Sequence, residues 1–220
     1  MVTRVKICCI ADIDEARLAV AAGAHALGLV SAMPSGPGPI SEDRIAVITA
    51  GLPPALGSFL LTSQTEPEAI IAQQRRCGAN TLQLVDRVEA GAYETLRRAL
   101  PGISIVQVIH VMDETAVEEA RRVAAHVHAI LLDSGNPNLA RKELGGTGRT
   151  HNWAISSRIV ESVSVPVFLA GGLNPGNVGA AIQAVRPFAV DVCSGLRTGD
   201  RLDPSKLAAF MAAVSAADRE

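Results

Sequence analysis

The sequence predicts an α/β protein, a single domain over residues 1–220 folded as a closed (β/α)8 barrel, and three observations lead there. Short apolar, β-branched runs alternate along the whole chain with amphipathic stretches of about ten to fifteen residues, the pattern of a parallel sheet with helical crossovers. Eight such units fill the 220 residues, a length and count that suit a closed barrel better than an open doubly wound sheet. No linker, low-complexity tract or identical repeat divides the chain.

VKICCI (5–10) reads as the first strand. Asp12 and Glu15 then have the spacing of a capping box, opening a helix that stops at Gly23. HALGLV (25–30) is the second strand, followed by a Gly- and Pro-rich loop, SAMPSGPGPIS, after which Ser41 caps EDRIAVITAG. ALGSFLL (55–61) and EPEAIIAQQRRCG (66–78) form the third unit. NTLQLV (80–85) with GAYETLRRAL, and ISIVQVIHV (103–111) with DETAVEEARRVAA, form the fourth and fifth. HAILLD (128–133) is the sixth strand; a long loop leads to WAISSRIVESV. VFLA (167–170) and FAVDV (188–192) are the last two strands, Asn174-Pro175 is read as the N-cap and first position of the seventh helix, and SKLAAFMAAVSAA (205–217) closes the chain.

Composition narrows the partners. A net charge of −2 with scattered Lys and Arg offers no surface for nucleic acid or an anionic membrane, and aromatic residues make up only 3% of the chain. No apolar run approaches the ~20 residues of a membrane helix, and no signal-peptide pattern precedes VKICCI, so the expectation is a cytoplasmic protein acting on a small molecule. Cys8, Cys9, Cys77 and Cys193 lack zinc-site spacing, and adjacent Cys8 and Cys9 would form a strained disulfide. All four are read as reduced thiols.

In a barrel of this kind chemistry gathers at the carboxyl ends of the strands. There, Gly171-Gly172 and Ser194-Gly195 make two consecutive strand-to-turn transitions whose free amides suit a phosphate without any lysine. A single turn of this type would signify only tight packing. Cys8 ends the first strand as a candidate base, with Lys6 nearby to lower its pKa; alone, such a cysteine is more often a small buried hydrophobe. Cys9, one residue on, should point to the opposite face, leaving at most one of the two in the site. Asp133 ends an otherwise apolar strand and is either bonded to loop amides or an acid with its pKa raised by burial. His110 stands at the same rim, while His25, His126 and His128 fall at the opposite end and receive no role. The loop GGTGRTHNW (145–153) is a candidate lid in which Gly146 and Arg149 would add an amide and a charge. A thiol base, a carboxylic acid and a phosphate cup together suggest an isomerase of phosphosugars.

KIC at 6–8, LLDS at 131–134, GGTGRT at 145–150, VFLAGGLNPGNV at 167–178 and VDVCSG at 190–195 together resemble the phosphoribosylanthranilate isomerase family of tryptophan biosynthesis, in order and spacing and over nearly the whole chain. The resemblance implies a (β/α)8 barrel performing an Amadori rearrangement of N-(5-phosphoribosyl)anthranilate without cofactor or metal. Cys8 would remove the C2 proton and Asp133 would protonate the ring oxygen, while Gly171, Gly172, Ser194 and Gly195 would hold the phosphate. The chain departs from the family pattern at several points. Cys9 and Ala11 replace a glycine and a threonine, Val85 replaces a histidine, and the 31–41 loop has no arginine to meet the anthranilate carboxylate. Losing such a contact costs on the order of 1.5–3 kcal/mol; His110 or Arg149 are candidates to replace it. Two other readings stay open: a diverged paralogue acting on another phosphoribosyl compound, and a non-catalytic phosphometabolite-binding protein. Monomer and homodimer are both compatible with the sequence.

Overall fold

The computed structural model describes residues 2–146 and 148–219. Eight parallel strands, β1 (Arg4–Ile7), β2 (Ala26–Val30), β3 (Gly57–Thr62), β4 (Thr81–Leu84), β5 (Ser104–His110), β6 (Ala129–Asp133), β7 (Val167–Leu169) and β8 (Ala189–Val192), close in sequence order into a barrel. Helices α1 (Ile13–Ala21), α2 (Glu42–Ala50), α3 (Pro67–Cys77), α4 (Ala90–Ala99), α5 (Thr115–Ala124), α6 (Trp153–Ser162), α7 (Val178–Val185) and α8 (Pro204–Ala217) surround it. The expected barrel and its eight units are therefore observed. After β8 the chain adds a 3-10 turn (Ser194–Leu196) and a small hairpin, β9 (Arg197–Thr198) and β10 (Arg201–Leu202), before α8.

Strand alternation sorts side chains into two apolar layers. Val5, Ile7, Leu27, Leu29, Ile130 and Leu132 belong to the layer between strands and helices. Cys8, Ala26, Val30, Val108, Leu131 and Phe168 fill the barrel interior. Lys6 therefore falls inside with Cys8, and Asp133 inside with Leu131, because each lies two residues from an interior neighbour. Closure pairs Lys6 with Asp191 and Ile7 with Val192.

Caps set the helix starts. Asp12 accepts from the amides of Asp14 and Glu15, and Glu15 reaches back to the Ala11 amide at 3.0 Å. Ser41 caps α2, and Asp203 with Pro204 opens α8. The seventh helix starts later than the sequence suggests. Asn174 folds a turn instead, its side chain accepting from Gly176 N at 2.8 Å and its carbonyl from Val178 N at 3.1 Å, so α7 begins at Val178. At the other end of the barrel, His25 Nδ1 and His128 Nδ1 accept the amides of Val5 and Ile105, a structural use in keeping with their lack of a functional role.

Candidate active site

The carboxyl ends of the strands surround a cavity that opens to solvent. Cys8 faces it from the residue just after β1, and Asp133 from the end of β6. Gly171, Gly172 and Ser194 face it from the loops after β7 and β8, and Gly146 from the lid loop. Thus six of the residues singled out from sequence meet in one place. Gly195, His110 and Arg149 do not line it. Gly195 packs beneath, where a Cβ would stand 2.0 Å from Leu173 O. His110 is covered by Gly135, and Arg149 reaches out to Glu143 at 2.5 Å. Thr147, within the proposed lid, lies outside the described residues.

The turn after β7 has the backbone that its glycines foretold, whereas Gly195 in the turn after β8 does not take a positive φ. Gly171 and Gly172 take φ of 85° and 62°, a region open to glycine. No described residue accepts a hydrogen bond from the amides of Gly171, Gly172 or Ser194, which leaves these N–H groups for a ligand. The lid loop and the loop after β2 close against each other above the cavity. A Cβ at Gly146 would meet Pro37 Cδ at 2.5 Å, Ser35 Oγ donates to Lys142 O at 2.6 Å, and Arg141 Nε donates to Pro34 O at 2.9 Å.

Beneath Cys8 lies a charge pair that the sequence reading did not assemble. Lys6 Nζ is fully buried 2.9 Å from Asp191 Oδ1, and Asp191 itself lines the cavity. Gly28 makes room for the group: a Cβ there would come within 2.6 Å of Cys8 Sγ and 3.0 Å of Lys6 Nζ. Burial lowers the Lys6 pKa, but the charge and hydrogen bond of Asp191 outweigh it and hold the ammonium above its ordinary value. The expected lowering of Cys8 does not occur. Burial pushes the thiol up to about 11, with Asp191 adding to the rise and Lys6 opposing it. Asp133 is raised to about 6, first by burial and then by the Asp191 charge, against the hydrogen bond from the Ser134 amide at 2.7 Å. His151, unread in the sequence, sits behind Gly171 with Nε2 2.7 Å from Ser156 Oγ, and burial depresses it to about 4.

The cysteine expectations need correction. Cys9 and Cys193 are joined by a disulfide, leaving Cys8 and Cys77 as the free thiols among the described residues. Both Cys8 and Cys9 line the cavity. The cause is local: β1 ends at Ile7, and Cys9 takes a left-handed φ of 62°, so strand alternation no longer governs its direction. The turn brings its Cα to 5.8 Å from that of Cys193, within bridging range. The position where the resembled family has glycine is thus one that demands glycine-like backbone. Arg197, itself paired with Glu15 at 2.9 Å, holds the Cys9 carbonyl.

Comparison with known proteins agrees with this geometry. A family model described as N-(5'phosphoribosyl)anthranilate (PRA) isomerase matches residues 5–213. The chain is 39% identical over 211 residues to the N-(5'-phosphoribosyl)anthranilate isomerase of Desulforudis audaxviator, covering 95% of this chain and 96% of the relative. It is 36% identical over 199 residues to that of Methanocella arvoryzae, covering 90% and 91%. Among solved structures it is similar to a phosphoribosyl anthranilate isomerase in complex with reduced 1-(o-carboxyphenylamino)-1-deoxyribulose 5-phosphate, with TM-score 0.81, 28% identity and coverage of 97% and 99%. The Thermotoga maritima enzyme superposes with TM-score 0.80 at 30% identity, over 97% of this chain and 99% of its own. The chain belongs to the N-(5'-phosphoribosyl)anthranilate isomerase family.

Proposed function

We propose that this chain catalyses the Amadori rearrangement of N-(5'-phosphoribosyl)anthranilate to the aminodeoxyribulose phosphate by general acid and base catalysis, with Asp133 as the acid and Cys8 as the base. The observation that carries this reading is that the two side chains, at the end of β6 and just after β1, open into one cavity beside the amides of Gly171, Gly172 and Ser194, from which no described residue accepts a hydrogen bond. The phosphate would bind those amides, and the ribose would then span the gap between β1 and β6.

Asp133, held at about 6, keeps a protonated fraction at neutral pH and can donate to the ring oxygen as the furanose opens. Opening leaves a positive charge on the protonated imine. A cation about 4.5 Å from Cys8 at an effective dielectric near 20 is worth about 4 kcal/mol, or nearly three pH units. That brings a thiol resting at about 11 close to neutrality at the moment when the C2 proton must leave. Removing that proton gives the enolamine. Loss of the O2 proton and protonation at C1 then give the ketose, so no atom is gained or lost. No cofactor or metal enters the proposed steps.

The partner in this reading is a small phosphosugar, and the chain acts in the cytoplasm as a monomer or homodimer. Among the described residues no helix is long and apolar enough to cross a membrane. A second reading, a phosphoribosyl substrate without the aryl carboxylate, is favoured by one observation: no Lys, Arg or His among the described residues lines the cavity. The test is turnover of freshly generated N-(5'-phosphoribosyl)anthranilate by wild type, Cys8→Ala and Asp133→Asn. Wild-type turnover with losses of about a hundredfold or more in each variant supports the assignment. Inactive wild type that still binds phosphorylated ligands points to the second reading, and fully active variants overturn both residue roles.

A further inference from the structure

We propose that Arg141 is a specificity residue that receives the aryl carboxylate of the substrate; this rests on the function proposed above. In an eight-stranded barrel β3 and β4 lie across from β7 and β8. With phosphate at Gly172 and Ser194, the aryl ring must therefore lie toward Leu61 on β3 and Val85 after β4, where Met33, Pro37 and Leu144 complete an apolar wall. A ring fits this wall, but its carboxylate does not. The charged side chains that line the cavity are Asp133 and Asp191, which repel an anion.

The cation has to come from the rim, and the loop after β6 sets three there. Lys142 Nζ is bound to Asp86 at 2.5 Å and Arg149 to Glu143 at 2.5 Å, so both are engaged with carboxylates of the protein. Arg141 differs. Its Nε donates to Pro34 O at 2.9 Å, and no described carboxylate pairs with its terminal nitrogens. The tether fixes the guanidinium against the segment whose next three residues, Ser35, Gly36 and Pro37, line the apolar end of the cavity. It leaves the two Nη groups as a fork suited to a carboxylate. Anchored from the β6 loop, Arg141 supplies across the mouth what the 31–41 loop does not contain.

The experiment measures, by calorimetry, the affinity of reduced 1-(o-carboxyphenylamino)-1-deoxyribulose 5-phosphate and of its phenylamino counterpart lacking the carboxyl group. Wild type, Arg141→Ala, Arg141→Lys and Lys142→Met are compared. Wild type should prefer the carboxylated ligand by about tenfold or more. Arg141→Ala should lose most of that preference by weakening only the carboxylated ligand, Arg141→Lys should recover part of it, and Lys142→Met should keep it. The proposal is overturned if Arg141→Ala keeps the preference, if it weakens both ligands equally, or if wild type has none. If wild type binds neither ligand and does not turn over the substrate, the underlying functional reading falls and this assignment falls with it.

Discussion

Replacing Asp133 with asparagine should make the protein more stable at neutral pH while removing its activity. The carboxyl is held at about 6 against an ordinary value of 3.8, and at about 1.36 kcal/mol per pH unit the difference is about 3 kcal/mol. Its oxygens face a cavity open to solvent, which screens part of this and leaves about 2 kcal/mol. The sign follows from proton binding. Well below pH 4 the group is protonated folded and unfolded, and burial has no ionic cost. Between 4 and 6 the folded state binds more protons, so wild-type stability falls as pH rises; above 6 the whole cost is present. Asparagine carries no charge and keeps an oxygen for the Ser134 amide, now at 2.7 Å. Urea unfolding at pH 4 to 8 should show a gap of about 0.5 kcal/mol or less near pH 4 and the variant ahead by about 2 kcal/mol above pH 7. In thermal unfolding that is a gain of about 5 °C for a chain of this size. A variant no more stable than wild type at pH 7.5, or a gap that does not change with pH, would refute the assignment of a destabilised buried acid.

Two further expectations concern the same floor of the barrel. Gly28→Ala inserts a methyl 2.6 Å from Cys8 Sγ; it should cost about 1–3 kcal/mol of stability and lower kcat by displacing the base, and a kcat equal to wild type would show that Cys8 is not positioned from this side. The Cys9–Cys193 bridge spans 184 residues of sequence, for which chain entropy sets a ceiling of about 5 kcal/mol. Cys9→Ser should lower the urea midpoint, and Cys9→Gly should recover about 1 kcal/mol of the loss because glycine accepts the left-handed φ of 62°; equal midpoints for the two variants would contradict a strained backbone at this position.

Most of the cavity lining among the candidate residues is legible in the sequence because strand parity is local. Cys8 and Asp133 sit at strand ends, two residues beyond the interior-facing Lys6 and Leu131, and the barrel turns both inward. The glycine pairs announced turns through their own backbone requirement, and Gly171 and Gly172 take the positive φ they imply. What stayed hidden depends on register between distant segments. Lys6 and Asp191 meet only because β1 and β8 close the barrel with those two residues opposite each other. A clue existed in the single charged residue inside AVDV, a strand buried throughout, yet nothing local named its partner. The Cys9–Cys193 bridge was missed for a related reason: extending β1 through Cys9 sent that side chain to the wrong face, and only the break after Ile7 turns it toward Cys193. His110 was read at its correct rim, but the fold of the following loop, with Gly135 pressed onto its ring, decides that it lies under the site's edge.

The buried charges also explain how a site with a high-pKa thiol can serve a proton abstraction. Lys6 and Asp191 neutralise one another at 2.9 Å, so the floor of the barrel carries little net charge. Removing Lys6 alone would leave Asp191 unpaired beside Cys8 and raise the thiol further. With the pair intact, Cys8 at rest is a neutral thiol and Asp133 is close to its own midpoint near pH 6, which limits the cost of burying both. The proton leaving Asp133 opens the ring and creates the cation that makes Cys8 acidic, so in the proposed mechanism the acid step prepares the base. That ordering follows from the pKa directions at the two residues, and it requires Asp133 and Cys8 to face the same small volume, as they do.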